Sequence, residues 1–258
     1  MTSGRGITVH TGTGDTGNID THDTELLIEG SLASNEIELA YERQHDDIIL
    51  RPASVAGHVR MLGDTDGLAG GDDRLVVDHM THLVTSRDRF GDGANSAIVR
   101  DSIDMDGRGG TDTYEVLTHG SAVATPHDYI VNALDTGGKA DGLDTLTIDG
   151  GNDADIFLLR RVEALTEGQS VPVSANTPAF VALLHGTLAD VRNQVRPDAE
   201  RINYDENINS RLIVRSFGGD DFFAVDDNAA LTTLDGGAGN DEMQIGQMYG
   251  SPRISVLE

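Results

Sequence analysis

The sequence predicts an all-β chain wound as a right-handed parallel β-solenoid, and three observations carry that expectation. Glycine supplies 31 of 258 residues, well above the usual ~7%. Short runs with apolar side chains at every second position recur along the chain, and each is introduced by a Gly/Asp turn. Aromatics make up only 4% and Trp is absent, so the core must rest on small stacked aliphatics. Self-similar turn-plus-strand units of this kind are the mark of a repeat architecture.

The chain opens with ITVHTGTGDTGNI (7–19), TELLIEG (24–30), NEIELAYE (35–42) and DDIILRP (46–52), β-rich runs bounded by Gly, Asp, Asn or Pro. Six later segments align on an Asp that precedes an alternating apolar pair. They are LAGGDDRLVV (68–77), GRGGTDTYEV (107–116), KADGLDTLTI (139–148), GGNDADIFLL (150–159), SFGGDDFFAV (216–225) and GGAGNDEMQI (236–245). The aligned residues are Asp73, Asp112, Asp144, Asp155, Asp221 and Asp241. Each is followed two and four positions later by apolar side chains, the period of a strand with one face inward. RLIVRS (211–216) reads as a further strand.

From Asp73, the separations to Asp112, Asp155, Asp221 and Asp241 divide into about 21 residues per turn, which makes roughly twelve turns for the whole chain. Asp144 falls half a turn before Asp155, on the opposite edge. One segment departs from the pattern. In NTPAFVALLHGTLADVRNQV (176–195), Phe180, Leu184, Leu188, Val191 and Val195 stand at helical spacing. Thr177 is placed to cap and Pro178 to begin such a helix, while Gly186 interrupts it. The expected organisation is a solenoid over 1–160, a helical or irregular insertion over 161–200, and a solenoid continuation over 201–258.

Thirty-two Asp and 12 Glu against 17 Arg and the single Lys139 leave a net charge of −26. That field repels DNA, RNA and anionic membrane, so neither nucleic acid nor membrane insertion is expected. Short carboxylates in place of Glu suit turns that coordinate cations. Cys is absent, which removes disulfides and thiolate metal sites and leaves calcium as the natural staple. The start MTSGRGITVH lacks the apolar stretch of a signal peptide, so the chain is expected to be a piece of a longer protein.

The stretch GGAGNDEMQ (236–244) satisfies G-G-x-G-x-D-x-U-x at every specified position, U being a large apolar residue. Its glycines permit the positive φ angles that turn carbonyls toward an ion, and its Asp supplies charge. With these residues the chain resembles the RTX, or haemolysin-type, calcium-binding repeat family. The match is complete only there. Arg108 replaces the second Gly in the copy that keeps Gly107, Gly110 and Asp112. Asp153 replaces the fourth-position Gly in the copy with Gly150 and Asp155. Gly71 with Asp73, Gly142 with Asp144, and Gly219 with Asp221 keep the fourth and sixth positions alone. The resemblance implies calcium held by Asp73, Asp112, Asp144, Asp153, Asp155, Asp221 and Asp241. Backbone contributions would come from Gly71, Gly107, Gly110, Gly142, Gly150, Gly219, Gly236 and Gly239.

Rival motifs are weaker. GTGDTG (12–17) is a literal G-x-G-x-x-G, yet NIDTHDTELLIEG offers no helical face behind it to hold a pyrophosphate, and Asp15 reads as a further turn ligand. His79 and His82 form H-x-x-H without a third ligand at a recognised spacing and read as surface histidines. No Cys and no G-x-S-x-G offers a nucleophile. The pairs Asp46/Asp47, Asp220/Asp221 and Asp226/Asp227 are too plentiful for any one to be singled out as a glycan-cleaving pair.

The expected function is that of a calcium-binding structural module, not an enzyme, that folds as calcium binds. The resemblance implies a large secreted or cell-surface bacterial protein of adhesin type, with extracellular polysaccharide or a cell-surface protein as partner. A glycan-binding module is the second reading, although Tyr41, Tyr114, Tyr129, Tyr204 and Tyr249 share no register. A polysaccharide lyase or epimerase is the third.

Overall fold

The structure is a computed structural model and describes residues 7–9, 16–21, 25–41, 47–63, 71–79, 102–122, 129–137, 140–161, 179–193 and 199–246. In chain order its strands are β1 (Ile7–Val9), β2 (Thr16–Thr21), β3 (Glu25–Tyr41), β4 (Asp47–Leu62), β5 (Arg74–Asp78), β6 (Ser102–Asp106), β7 (Thr113–Leu117) and β8 (Tyr129–Ala133). They continue as β9 (Thr145–Asp149), β10 (Ile156–Arg161), β11 (Ala179–Leu184), β12 (Ala199–Tyr204), β13 (Arg211–Arg215), β14 (Phe222–Val225), β15 (Thr232–Asp235) and β16 (Glu242–Ile245). One short helix, α1 (Leu188–Arg192), stands between β11 and β12. The described residues are thus mostly β, as the alternation predicts. The strand β2 begins inside the G-x-G-x-x-G stretch, at Thr16, and runs on to Thr21, where a dinucleotide site would need a helix.

The strands form one hydrogen-bonded sheet whose path turns on β4. Asp47–Leu50 of β4 pair in parallel with β5, and His58–Leu62 pair in parallel with β6. Two arms leave it. The first runs β4, β5, β7, β9, β13, β15 and is parallel throughout. The second runs β4, β6, β8, β12, β11, β10, β14, β16 and is parallel except where β11 lies antiparallel to both of its neighbours. From β5 onward, strands alternate between the arms along the chain, apart from β10, β11 and β12, which all join the second. The sheet is therefore mixed, which corrects the purely parallel sheet expected from the repeats.

In β16, behind Asp241, Met243 and Ile245 are exposed, but the other five strands that follow a repeat aspartate, and β8, β12 and β13 beside them, bury the side chains that the alternation points inward. Tyr114 and Val116, Leu146 and Ile148, and Leu212 and Val214 do so from the first arm; Val131, Phe157, Ile202 and Phe223 do so from the second. Inward residues of both arms share a single hydrophobic cluster. Each large side chain contributes about 1.5–3 kcal/mol by leaving water. The stacked rings of Phe157 and Phe223, 5.4 Å apart, show how neighbouring rungs repeat one packing position. Tyr114, Tyr129 and Tyr204 belong to this core, so they form no exposed aromatic stripe.

The repeat length also needs correction. Asp73 and Asp112 lie on neighbouring rungs although 39 residues separate them, and Asp155 and Asp221 are neighbours across 66. Only the step from Asp221 to Asp241, at 20 residues, approaches the expected period. The separations of 39 and 66 residues are each a single step along a ladder, the longer one taking in β11 and β12, so about 21 residues per turn and roughly twelve turns do not hold.

Among the described residues of the segment expected to be helical or irregular, 179–184 are a strand and Leu188–Arg192 alone are helical. Thr177, Pro178 and Val195 lie outside the described residues. The helix begins at Thr187, whose Oγ1 accepts from the Asp190 N–H while the Asp190 carboxylate accepts from the Thr187 N–H, a reciprocal cap. Val191 buries against Ile156, Phe222 and Ala224, so the helix covers the outer face of β10, β11 and β14. That cover explains why these strands are apolar on both faces and why their period was obscured.

Candidate metal centre

The six repeat aspartates fall into two ladders, not one column. Asp73, Asp112 and Asp144 stand before β5, β7 and β9 of the first arm; Asp155, Asp221 and Asp241 stand before β10, β14 and β16 of the second. In the first ladder the Asp112 Oδ1 accepts from the Asp73 N–H at 2.8 Å, and the Asp144 Oδ1 accepts from the Asp112 N–H at 2.9 Å. Asn209 closes it, accepting from the Asp144 N–H at 2.9 Å. In the second ladder Asp155 accepts from Ser121, Asp221 from Asp155 and Asp241 from Asp221, at 2.7, 2.7 and 3.1 Å. Asp144 and Asp155 thus occupy opposite edges, as their spacing predicts, whereas Asp73 and Asp112 join Asp144, not Asp155.

The glycines follow from this geometry. A Cβ on Gly107, Gly150 or Gly236 would lie 2.4, 2.2 or 2.3 Å from the carboxylate of its own repeat, and Gly63 takes that part for Asp73. At the fourth position Gly110, Gly219 and Gly239 have φ of 131°, 113° and 148°, which side chains rarely adopt. Gly142 presses on the Gly110 carbonyl, and Gly71 is buried two residues before Asp73. Where the second-position glycine is lost, the turn survives: Arg108 and Phe217 hold φ of 73° and 60°, close to the 72° of Gly237. Asp153 is exposed in its turn and belongs to neither ladder.

Burial separates the copies. Asp73, Asp112, Asp144, Asp155 and Asp221 are at most 2% exposed, while Asp241, in the complete motif, is exposed. Among the described residues, one group of carboxylates converges as a metal site requires: Asp112, Asp135 and Asp144 each present an oxygen within 4.8 Å of the others, and all three are buried. The Asp112 Oδ2 has no hydrogen-bond partner. Asp135 is positioned by the Tyr114 hydroxyl, which donates to its Oδ2 at 2.6 Å, and by the Gly137 N–H, which donates to its Oδ1 at 2.5 Å. The Gly107 N–H in turn donates to the Tyr114 oxygen.

Three carboxyls so placed strain against ionisation. Desolvation pushes Asp112 up to about 8, with the charges of Asp73, Asp135 and Asp144 adding to it. Burial also pushes Asp135 up to about 6 and raises Asp144. In the second ladder burial raises Asp155 to about 6 and raises Asp221, whose Oδ2 is likewise unpartnered, but no third carboxylate converges there. Two like charges 4 Å apart repel by about 1 kcal/mol in water and about 4 kcal/mol near a protein surface, so an ion-free triad must stay partly protonated. An all-oxygen, carboxylate-rich donor set fits a hard cation such as calcium or magnesium.

Asp135 was not among the residues expected to bind metal, because no apolar alternation follows it. The signal lay elsewhere, in Leu134-Asp135-Thr136-Gly137, which parallels Leu234-Asp235-Gly236-Gly237. His79 is exposed at the end of β5; His82 and Asp15 lie outside the described residues. A second buried acid, Glu200, accepts from the Tyr129 hydroxyl and the His119 N–H, and pairs with His185 at 3.1 Å. Burial pushes its carboxyl up, but its bonds to His119, His185 and Tyr129 overcome this and hold it down to about 2.

Comparison of the chain with protein-family models, with curated proteins and with solved structures finds no match. Fold and site define a mostly β protein with a mixed sheet, two aspartate ladders and a buried carboxylate triad suited to a hard cation.

Proposed function

We propose that the chain is a calcium-binding structural module wound as a β-solenoid, part of a large RTX-like protein that is secreted or displayed on a bacterial surface. The alternation of strands between two arms supports the winding, and the repeat turns support the kinship. One observation carries the metal: Asp112, Asp135 and Asp144 are buried together, and the Asp112 Oδ2 has no partner. Their three carboxylates would hold calcium, with backbone carbonyls and water completing its 6–8 oxygen ligands. Calcium supplies the positive charge that lets buried carboxylates ionise. Tyr114 and the Gly137 N–H orient Asp135, and the ladder bond to Asp73 orients Asp112. A low-calcium compartment would leave the like-charged chain poorly folded, and millimolar calcium outside would complete it.

Circular dichroism during a calcium titration, with magnesium as control, tests this. A calcium-dependent gain of β signal and of melting temperature is expected. Equal folding and equal melting temperature in excess chelator would sink the proposal.

A further inference from the structure

A groove of about 390 Å³ passes the ends of four neighbouring first-arm strands, β5, β7, β9 and β13. His79, His119, Gly151, Asn152, Asp153 and Phe217 line it. Strands about 4.8 Å apart make it roughly 14 Å from the first turn to the last. None of Asp112, Asp135 and Asp144 contributes to it, so it stands apart from the metal centre.

Strain collects there. Among the described residues three that are not glycine have positive φ, and two of them, His79 (46°) and Phe217 (60°), line this one groove. The repeat turn imposes this φ on Phe217, where a bulky residue is strained and glycine would not be, and such strain clusters at binding sites. Phe217 is also 45% exposed, in a position where the sibling turn has Gly237. The ring lies in neither hydrophobic cluster. The Arg215 guanidinium sits 5.5 Å from the ring centroid and is itself fixed by paired bonds to Asp149 at 2.7 and 2.8 Å. The ring is thus braced beside a groove that carries imidazole, amide and carboxylate groups.

An exposed flat ring beside hydrogen-bonding side chains suits a ligand with one apolar C–H face and several hydroxyls. We propose that this groove binds a neutral pyranose unit of a glycan, stacked on Phe217, with its hydroxyls bonded to His79, Asn152 and Asp153. The carboxylates of the groove and the chain's net charge of −26 argue against an anionic sugar.

Saturation-transfer and chemical-shift NMR on the full chain in calcium, with methyl glucoside, galactoside and mannoside as probes, test the site. At least one probe should saturate with millimolar affinity and shift the Phe217 and His79 resonances. Phe217→Gly should weaken that binding by about tenfold or more. The same variant should melt no lower than the parent, because glycine fits a turn of positive φ. No shift at these residues up to about 50 mM of every probe, or unchanged affinity in Phe217→Gly, overturns the proposal. Binding of a proline-rich peptide in the groove with no pyranoside binding overturns it as well. If the chain proves to fold equally well in chelator, the calcium reading fails while the same NMR measurement still tests the groove, so the two proposals fail separately.

Discussion

The two aspartate ladders share a backbone bond pattern and differ in what surrounds it. The first-arm ladder contains the copy with Arg108 in a glycine position, yet it is there that three buried carboxylates meet. The second-arm ladder ends in the complete motif, Gly236 to Gln244, where Asp241 is exposed and no third carboxylate converges. Fidelity to a repeat motif records that the turn is well formed. Whether the turn encloses a charged site depends on the rungs stacked above and below it, and Asp241 stands before the last strand of its arm.

The strongest way to break this comparison is to truncate one aspartate in each ladder. Asp112→Ala should abolish high-affinity calcium binding and lower stability in calcium by about 3 kcal/mol. That figure follows from losing an ion at about a hundredfold excess over its Kd. The buried Asp73 N–H is also left without its acceptor. Asp241→Ala should cost about 1 kcal/mol, the net worth of its single bond to the Asp221 N–H, and leave binding at the triad intact. Isothermal titration and thermal melts of both variants decide the matter, and equal losses would refute the distinction.

A pH series in chelator sharpens it next. A carboxyl whose folded pKa is raised contributes stability that is complete below its ordinary value of 3.8 and lost as pH rises through the folded value. With Asp112 at about 8 and Asp135 and Asp155 at about 6, the ion-free protein should lose melting temperature steadily from about pH 4 to pH 8. Glu200 acts in the opposite sense. Held down to about 2, it contributes stability above its ordinary value of 4.5 that is lost as pH falls through 2. Calcium should flatten the decline toward pH 8. A melting temperature in chelator that rises between pH 5 and pH 8 would contradict the buried triad.

The smallest effect concerns the turn alone. Arg108→Gly restores the motif at a residue with φ of 73° and should stabilise the fold by about 1 kcal/mol or less, since relief of left-handed strain is partly offset by glycine's entropy. Calcium affinity should not change, because the substitution keeps the backbone of the turn and removes none of the three carboxylates of the triad. A destabilised variant in thermal melts would show that the arginine side chain does more than occupy the turn.

The sequence by itself determined the β class, the strand behind each repeat aspartate and, in all of those strands but β16, the inward side chains. All of these are local: a two-residue period and a glycine that avoids its own repeat's carboxylate need no distant partner. Tertiary structure alone decided three things. It split the aspartates into two ladders, because the length of a connection does not reveal how many rungs it spans. It made Ala179–Leu184 a strand, because Val181, Ala182 and Leu183 are buried on both faces and a continuous apolar run carries no period with which to tell strand from helix. It brought Asp135 to Asp112 and Asp144 from neighbouring rungs, since the convergence of like charges in a core is a property of stacking, which no single repeat contains.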